Sequence, residues 1–250
     1  MIPKIIHFCW LSNDPIPEKL QRCMDSWKKH LSDYEFMLWN FDRFPQGKSK
    51  WVDDAFNNKK YAFAADYIRM YALYNYGGIY LDMDVEVLKS FDDFLGLRTM
   101  ICYENHKELS NLEVAAFGVE LNSKWVEDCL KYYDSREFVN EDGSFNTKVL
   151  PVIVAEQLKN AGYRTKLVKS ISEAKEIEKS NTIPVFDFVY FSPKCYETGE
   201  MSVASSTYSI HHFAGSWLPK QELMIGNIRS WAVKKIPWAV SFFKRLKSLF

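Results

Sequence analysis

Between Asp53 and Asp84 the chain runs from a long apolar helical pattern, through a double-glycine break, into a short apolar strand that ends on two carboxylates. Ala62, Ala65, Ile68, Tyr71, Ala72 and Leu73 recur at helical spacing and predict the buried side of a helix over 53–76. Gly77-Gly78 stops it, because glycine takes the left-handed conformation that closes a helix. Residues 79–81 then read as a strand, followed at once by Asp82-Met83-Asp84. In α/β proteins, ligands gather beyond the carboxyl ends of strands, where this acidic pair falls.

The flanking pattern agrees with an α/β fold. Residues 4–10 form an apolar run that predicts a buried strand. Pro15 and Pro17 mark a loop, and 18–30 reads as a helix with Leu20, Met24 and Trp27 on one face and Leu31 just beyond. A second strand over 34–39 completes a strand–helix–strand opening. Further along, 113–119 reads as a strand and 123–133 as a helix. Residues 147–161 read as a helix with a boundary inside it at Pro151. Strands are expected over 166–168, 185–191 and 208–213. The 250 residues suit one well-buried domain. We expect it over 1–220, with a distinct tail over 221–250.

In an extended segment, positions i and i+2 project to one side, so Asp82 and Asp84 are expected to share a face. Two hard carboxylates on one side suit Mn²⁺ or Mg²⁺ held together with a substrate diphosphate. Asp66 and Arg69 share a helix face at i and i+3. They sit among Ala62, Phe63, Ala64, Ala65, Tyr67 and Ile68, which argues against an ordinary surface ion pair. A carboxylate that accepts from hydroxyls beside a guanidinium that donates to sugar or phosphate oxygens makes a sugar clamp.

The block Ala64-Ala65-Asp66-Tyr67-Ile68-Arg69, then Tyr76-Gly77-Gly78-Ile79-Tyr80-Leu81-Asp82-Met83-Asp84, resembles the D-x-D sugar-binding region of glycosyltransferase family 32. The opening Ile2 to Trp10 is part of the resemblance. The family includes bacterial capsule and exopolysaccharide enzymes and is related in this region to the large clostridial glucosylating toxins. The resemblance implies a GT-A type α/β fold with a mixed, mainly parallel sheet flanked by helices. It makes Asp84 a direct metal ligand. Asp82 becomes a contact to the donor ribose or sugar and to the metal, and Asp66 and Arg69 contacts to the donor sugar and phosphate. Asp66, Arg69 and Asp82 are the implied catalytic set. Trp10 matches a tryptophan that stacks on uracil.

Near the C-terminus, His211-His212-Phe213-Ala214-Gly215-Ser216-Trp217 offers an imidazole to complete an Mn²⁺ shell. Strand alternation gives only one of the two histidines the site face. The H-x-x-G spacing from His212 to Gly215, similar to the histidine ligand of related enzymes, favours His212. Ser216 and Trp217 resemble residues that close over the diphosphate. One departure is notable: where many bacterial members carry Thr-Gly-Pro, this chain reads Lys148-Val149-Leu150-Pro151.

The activity implied is retaining transfer of a hexose or N-acetylhexosamine from a UDP-sugar to an oligosaccharide or lipid-linked glycan. A phosphatase of the haloacid-dehalogenase type also places D-x-D after a strand. It normally carries Thr or Val four residues after the first Asp, where this chain has Glu86. A carbohydrate- or nucleotide-binding module without turnover is the rival outside enzymes.

Formal net charge is zero, which argues against a nucleic-acid partner. The five cysteines are scattered with no CxxC pair, which fits a reducing compartment. The opening lacks the pattern of a signal peptide, so a cytoplasmic location is expected. After Glu222 the tail carries Arg229, Lys234, Lys235, Lys244, Arg245 and Lys247 among Trp231, Trp238, Phe242 and Phe243. That mixture suits peripheral attachment to an anionic membrane surface.

Overall fold

Five strands form the central sheet in the order β2 (Glu35–Trp39), β1 (Ile5–Cys9), β3 (Gly78–Leu81), β6 (Ala116–Val119) and β5 (Thr99–Met100). The computed structural model describes residues 1–104, 111–134, 136–178, 181–196 and 198–215. Strand β1 pairs in parallel with both β2 and β3, β6 runs antiparallel to β3, and β5 antiparallel to β6. Four of the five strands therefore point the same way, and the sheet is mixed and mainly co-directional, as expected. Two smaller ladders complete the described strands: β4 (Val85–Val87) with β9 (Ser209–His211), and β7 (Arg164–Val168) with β8 (Thr182–Phe186).

Side chains alternate across the sheet with a period of two. Ile6, Phe8, Ile79, Leu81 and Ala116 enter one apolar cluster, and Cys9, Met37, Trp39, Tyr80, Phe117 and Val119 enter the other. The second cluster is covered by α2 (Lys50–Asn57), α3 (Tyr61–Tyr76), α4 (Lys124–Asp134) and α5 (Leu150–Asn160). The first is covered by α1 (Glu18–His30), by β4 and by residues of α6 (Ile171–Ile177). Helix α1 is tied to β4 at two points: Trp27 Nε1 donates to Val85 O at 2.6 Å, and Val87 N donates to Ser26 Oγ at 2.9 Å.

Three expectations change. The helix over 53–76 is two helices, α2 and α3, separated where Lys59 takes a left-handed conformation (φ 57°). Ser49 caps α2 by accepting from Val52 N, so α2 starts before Asp53. The strand expected over 185–191 is β8, which ends at Phe186, and a 3₁₀ turn covers Phe188–Tyr190. Asp187 breaks it by accepting from Val189 N. Helix α5 begins at Leu150, with Pro151 in its first turn, where a missing N–H costs nothing. The tail over 221–250, and with it the membrane expectation, lies outside the described residues.

The double glycine is demanded by the fold. Gly77 (φ 62°) closes α3, and Gly78 (φ 98°) opens β3. A Cβ on Gly78 would lie 2.7 Å from Ile5 O, and one on Gly77 would lie 2.7 Å from Leu121 N. Buried His7 locks this corner. Trp39 Nε1 donates to its Nδ1 at 3.1 Å, so its Nε2 carries the proton and donates to Gly77 O at 2.7 Å. Burial pushes the His7 pKa down to about 4, which keeps the ring neutral.

Candidate active site

Strand β3 delivers the acidic pair. Asp82 N donates to Ala115 O at 2.8 Å, and Val85 N donates back to Asp82 O at 3.0 Å. Asp82 and Asp84 therefore sit in a tight turn between β3 and β4, not in the extended segment expected. The pair still converges, because Met83 is buried and leaves its two neighbours facing the same opening. Oxygens of Asp82 and Asp84 and a ring nitrogen of His211 all lie within 4.8 Å of one another. Two carboxylates and an imidazole are a donor set that fits a divalent cation.

The histidine is His211, where His212 was expected. The β4–β9 ladder pairs Val85 with His211 and turns that ring inward. Its Nε2 stands 3.5 Å from Asp84 Oδ1. One residue on, the side chain leaves by the other face, and His212 Nε2 meets Glu86 Oε2 at 2.9 Å. The backbone of His212 still serves the site, since its N–H donates to Asp84 O at 3.0 Å. Ala214 N donates to Asp84 Oδ2 at 2.6 Å, which fixes one carboxylate oxygen and leaves Oδ1 toward His211.

Arg69 braces the pair from below. Its Nη2 lies 3.1 Å from Asp82 Oδ1 and 3.2 Å from Asp66 Oδ1, and its Nη1 donates to Val114 O at 2.7 Å. The guanidinium lies over the Tyr80 ring, 4.5 Å from its centroid. Burial works against the Arg69 charge, but Asp82, Tyr80 and Asp66 outweigh it and raise its pKa above the ordinary value. Burial, opposed by Arg69 and reinforced by Asp82, pushes the Asp66 carboxyl up to about 6. Burial also raises Asp82, against the pull of Arg69.

Glu113, which the sequence reading placed only in a strand, belongs to the site. It is 3% exposed, and its Oε2 lies 3.4 Å from His211 Nδ1. Burial opposes its charge, yet His211 holds its carboxyl down to about 2. Across the pair, burial is outweighed by Glu113, Asp84 and Asp82, which raise His211 to about 9. The available signal was a lone carboxylate inside the apolar run Leu112–Val119, read there as a strand residue.

Trp10 follows β1, which lies parallel to β3, so Trp10 and Asp82 open on the same sheet edge. The indole is half-buried and donates to Asp14 O at 3.0 Å. Ser216 and Trp217 lie outside the described residues. The departure at Lys148–Pro151 also reaches the site, because the backbone of Leu150 lies near enough to Asp66 to favour its charged form. A backbone donor needs no particular side chain there.

Residues 17–101, which hold Asp66, Arg69, Asp82 and Asp84, match the family model described as "Glycosyltransferase sugar-binding region containing DXD motif". Over these residues the chain is similar to the D-x-D region of glycosyltransferases. Named relatives match as well. "Inositol phosphoceramide mannosyltransferase 3" of Schizosaccharomyces pombe is 38% identical over 98 residues, 38% of this chain and 27% of that protein. The chain thus spans well under a third of that relative's length. "Uncharacterized glycosyltransferase L373" of Acanthamoeba polyphaga mimivirus is 26% identical over 232 residues, 89% of this chain and 86% of that protein. Among solved structures, the "PaToxG Glycosyltransferase" is similar over 64% of this chain and 70% of that one, with a TM-score of 0.47 and 19% identity.

Proposed function

We propose that the protein is a metal-dependent glycosyltransferase that moves a hexose from a UDP-sugar to a glycan or lipid-linked acceptor, with retention at the anomeric carbon. The observation that carries this reading is the convergence of Asp82, Asp84 and His211 within 4.8 Å beyond the strand that the D-x-D region supplies. A divalent cation such as Mn²⁺ held by these three would neutralise charge on the departing diphosphate.

The chain's own groups then divide the work. Trp10 offers an aromatic face for the base at the shared edge of β1 and β3. Asp66, beside the backbone N–H of Leu150, accepts from donor-sugar hydroxyls. Arg69 turns its Nη groups to Asp66, Asp82 and Val114 O, so it holds the two carboxylates in place. The acceptor oxygen bonds to the anomeric carbon as the bond to the diphosphate oxygen breaks, and the hydroxyl proton passes to the leaving diphosphate. Asp82 Oδ1 is committed to Arg69, which suits positioning rather than nucleophilic attack.

Among hexoses, mannose is one reading for the sugar, supported by the name of the fission-yeast relative. The match over 17–101 favours transfer over the phosphatase alternative. For the tail we keep the peripheral membrane reading at the cytoplasmic face, on composition alone. Full-length protein should bind anionic liposomes, and a chain ending near Lys220 should not.

The deciding experiment is calorimetric titration of UDP with and without Mn²⁺, repeated on Asp84→Ala. Metal-dependent binding lost in the variant supports the reading and justifies a screen of UDP- and GDP-sugars for hydrolysis and transfer. Absence of UDP binding under every metal condition would remove the uridine assignment, and release of phosphate from simple phosphoesters would favour the phosphatase.

A further inference from the structure

A histidine ring that is to bind a cation through one nitrogen must be held by the other. His211 presents Nε2 to Asp84 Oδ1 at 3.5 Å and Nδ1 to Glu113 Oε2 at 3.4 Å. Both ring nitrogens face carboxylates, which can only accept; a cation held by Asp82 and Asp84 would take the place of the Nε2 proton, while the proton on Nδ1 stays directed at Glu113. Glu113 is itself fixed: it is 3% exposed, and its other oxygen, Oε1, accepts from Ala115 N at 2.8 Å. The segment Glu113, Val114 and Ala115 also reaches the remaining members of the site. Val114 O takes Arg69 Nη1 at 2.7 Å, and Ala115 O takes Asp82 N at 2.8 Å. One short segment ahead of β6 thus touches the histidine, the arginine and the first aspartate.

We infer that Glu113 is the positioning residue of the cation site, setting the tautomer and ring angle of His211 so that Nε2 serves as ligand. This rests on the metal reading above. A buried carboxylate costs stability unless it is fully partnered, and both oxygens of Glu113 are partnered by the site it organises. Glutamine is the informative replacement. It has one acceptor oxygen for two donors, Ala115 N–H and His211 Nδ1–H, so one of them must lose its partner.

The test is Mn²⁺ binding, with the metal alone as probe, read from the electron paramagnetic resonance signal of the free ion. Wild type, Glu113→Gln, His211→Ala and the double variant are compared, with circular dichroism to confirm folding. Glu113→Gln should weaken binding about 10- to 100-fold and have no further effect in the His211→Ala background. Unchanged affinity in Glu113→Gln, or an equal loss in both backgrounds, would overturn the inference while leaving the metal site standing. Failure of the wild type to bind Mn²⁺ would instead remove the metal reading itself. Should the variants not fold, nitrogen-15 histidine spectra of the Zn²⁺-loaded wild type decide the matter. Protonated Nδ1 and metal-bound Nε2 at His211 are expected, and the reverse tautomer would overturn the assignment.

Discussion

Oδ1 of Asp84 stands 3.5 Å from Nε2 of His211, and the β4–β9 ladder keeps them together by pairing Val85 with His211. The neighbouring His212 ring is turned to Glu86 in a half-exposed position. His211→Ala should therefore weaken Mn²⁺-dependent UDP binding by about tenfold or more. His212→Ala should change it by less than about threefold, as befits an exposed pair. Calorimetry on the two variants reads the difference, and equal losses would refute the assignment of His211.

Arg69 is a buried cation between two carboxylates, with its side chain 7% exposed. Removing one member of such a group leaves uncompensated charge, so Arg69→Ala should lower unfolding free energy by about 3–5 kcal/mol. Arg69→Lys replaces a planar fork by a point charge. It should recover part of that stability without restoring metal-dependent nucleotide binding. Urea denaturation and UDP titration on the same samples separate the two effects.

Burial pushes Asp66 from 3.8 up to about 6, and this has a defined sign. Between these values the folded chain holds a proton that the unfolded chain has released. The contribution of Asp66 to stability is greatest at low pH and falls as pH rises through about 6. Asp66→Asn should remove that component. Urea midpoints at acid and neutral pH should fall more steeply with pH for the wild type than for the variant. An unchanged slope would mean that Asp66 titrates like an exposed carboxylate.

Gly78→Ala would force a Cβ to 2.7 Å from Ile5 O at a φ of 98°. The obstacle is backbone, which cannot swing away as a side chain can. The cost should exceed about 1 kcal/mol, seen as a lower melting temperature. An unchanged melting temperature would show that the β1–β3 corner is looser than described.

What the sequence revealed of the site follows the range of the forces involved. Asp66, Arg69, Asp82 and Asp84 lie on one helix–glycine–strand unit, and local periodicity is enough to bring them near one another. The identity of the histidine was beyond that reach. Parity in β9 decides between His211 and His212, and parity is set by pairing with β4 across the fold. Glu113 was harder still, because its role rests on a contact 98 residues away in the chain. The break between α2 and α3 escaped notice because the apolar spacing continues across Asn58-Lys59-Lys60, and the left-handed Lys59 has no compositional signature.

The corner that His7 makes with Gly77 and the turn closed from Val85 to Asp82 bound a strand only four residues long. That strand acts as a ruler. Substitutions within it alter packing, whereas inserting or deleting a single residue would invert which side chains face each layer and carry Asp82 away from Arg69. Efforts to retune the donor preference should therefore vary residue identity around 79–84 and hold its length constant. Natural length variation is better sought in the loops beyond β4.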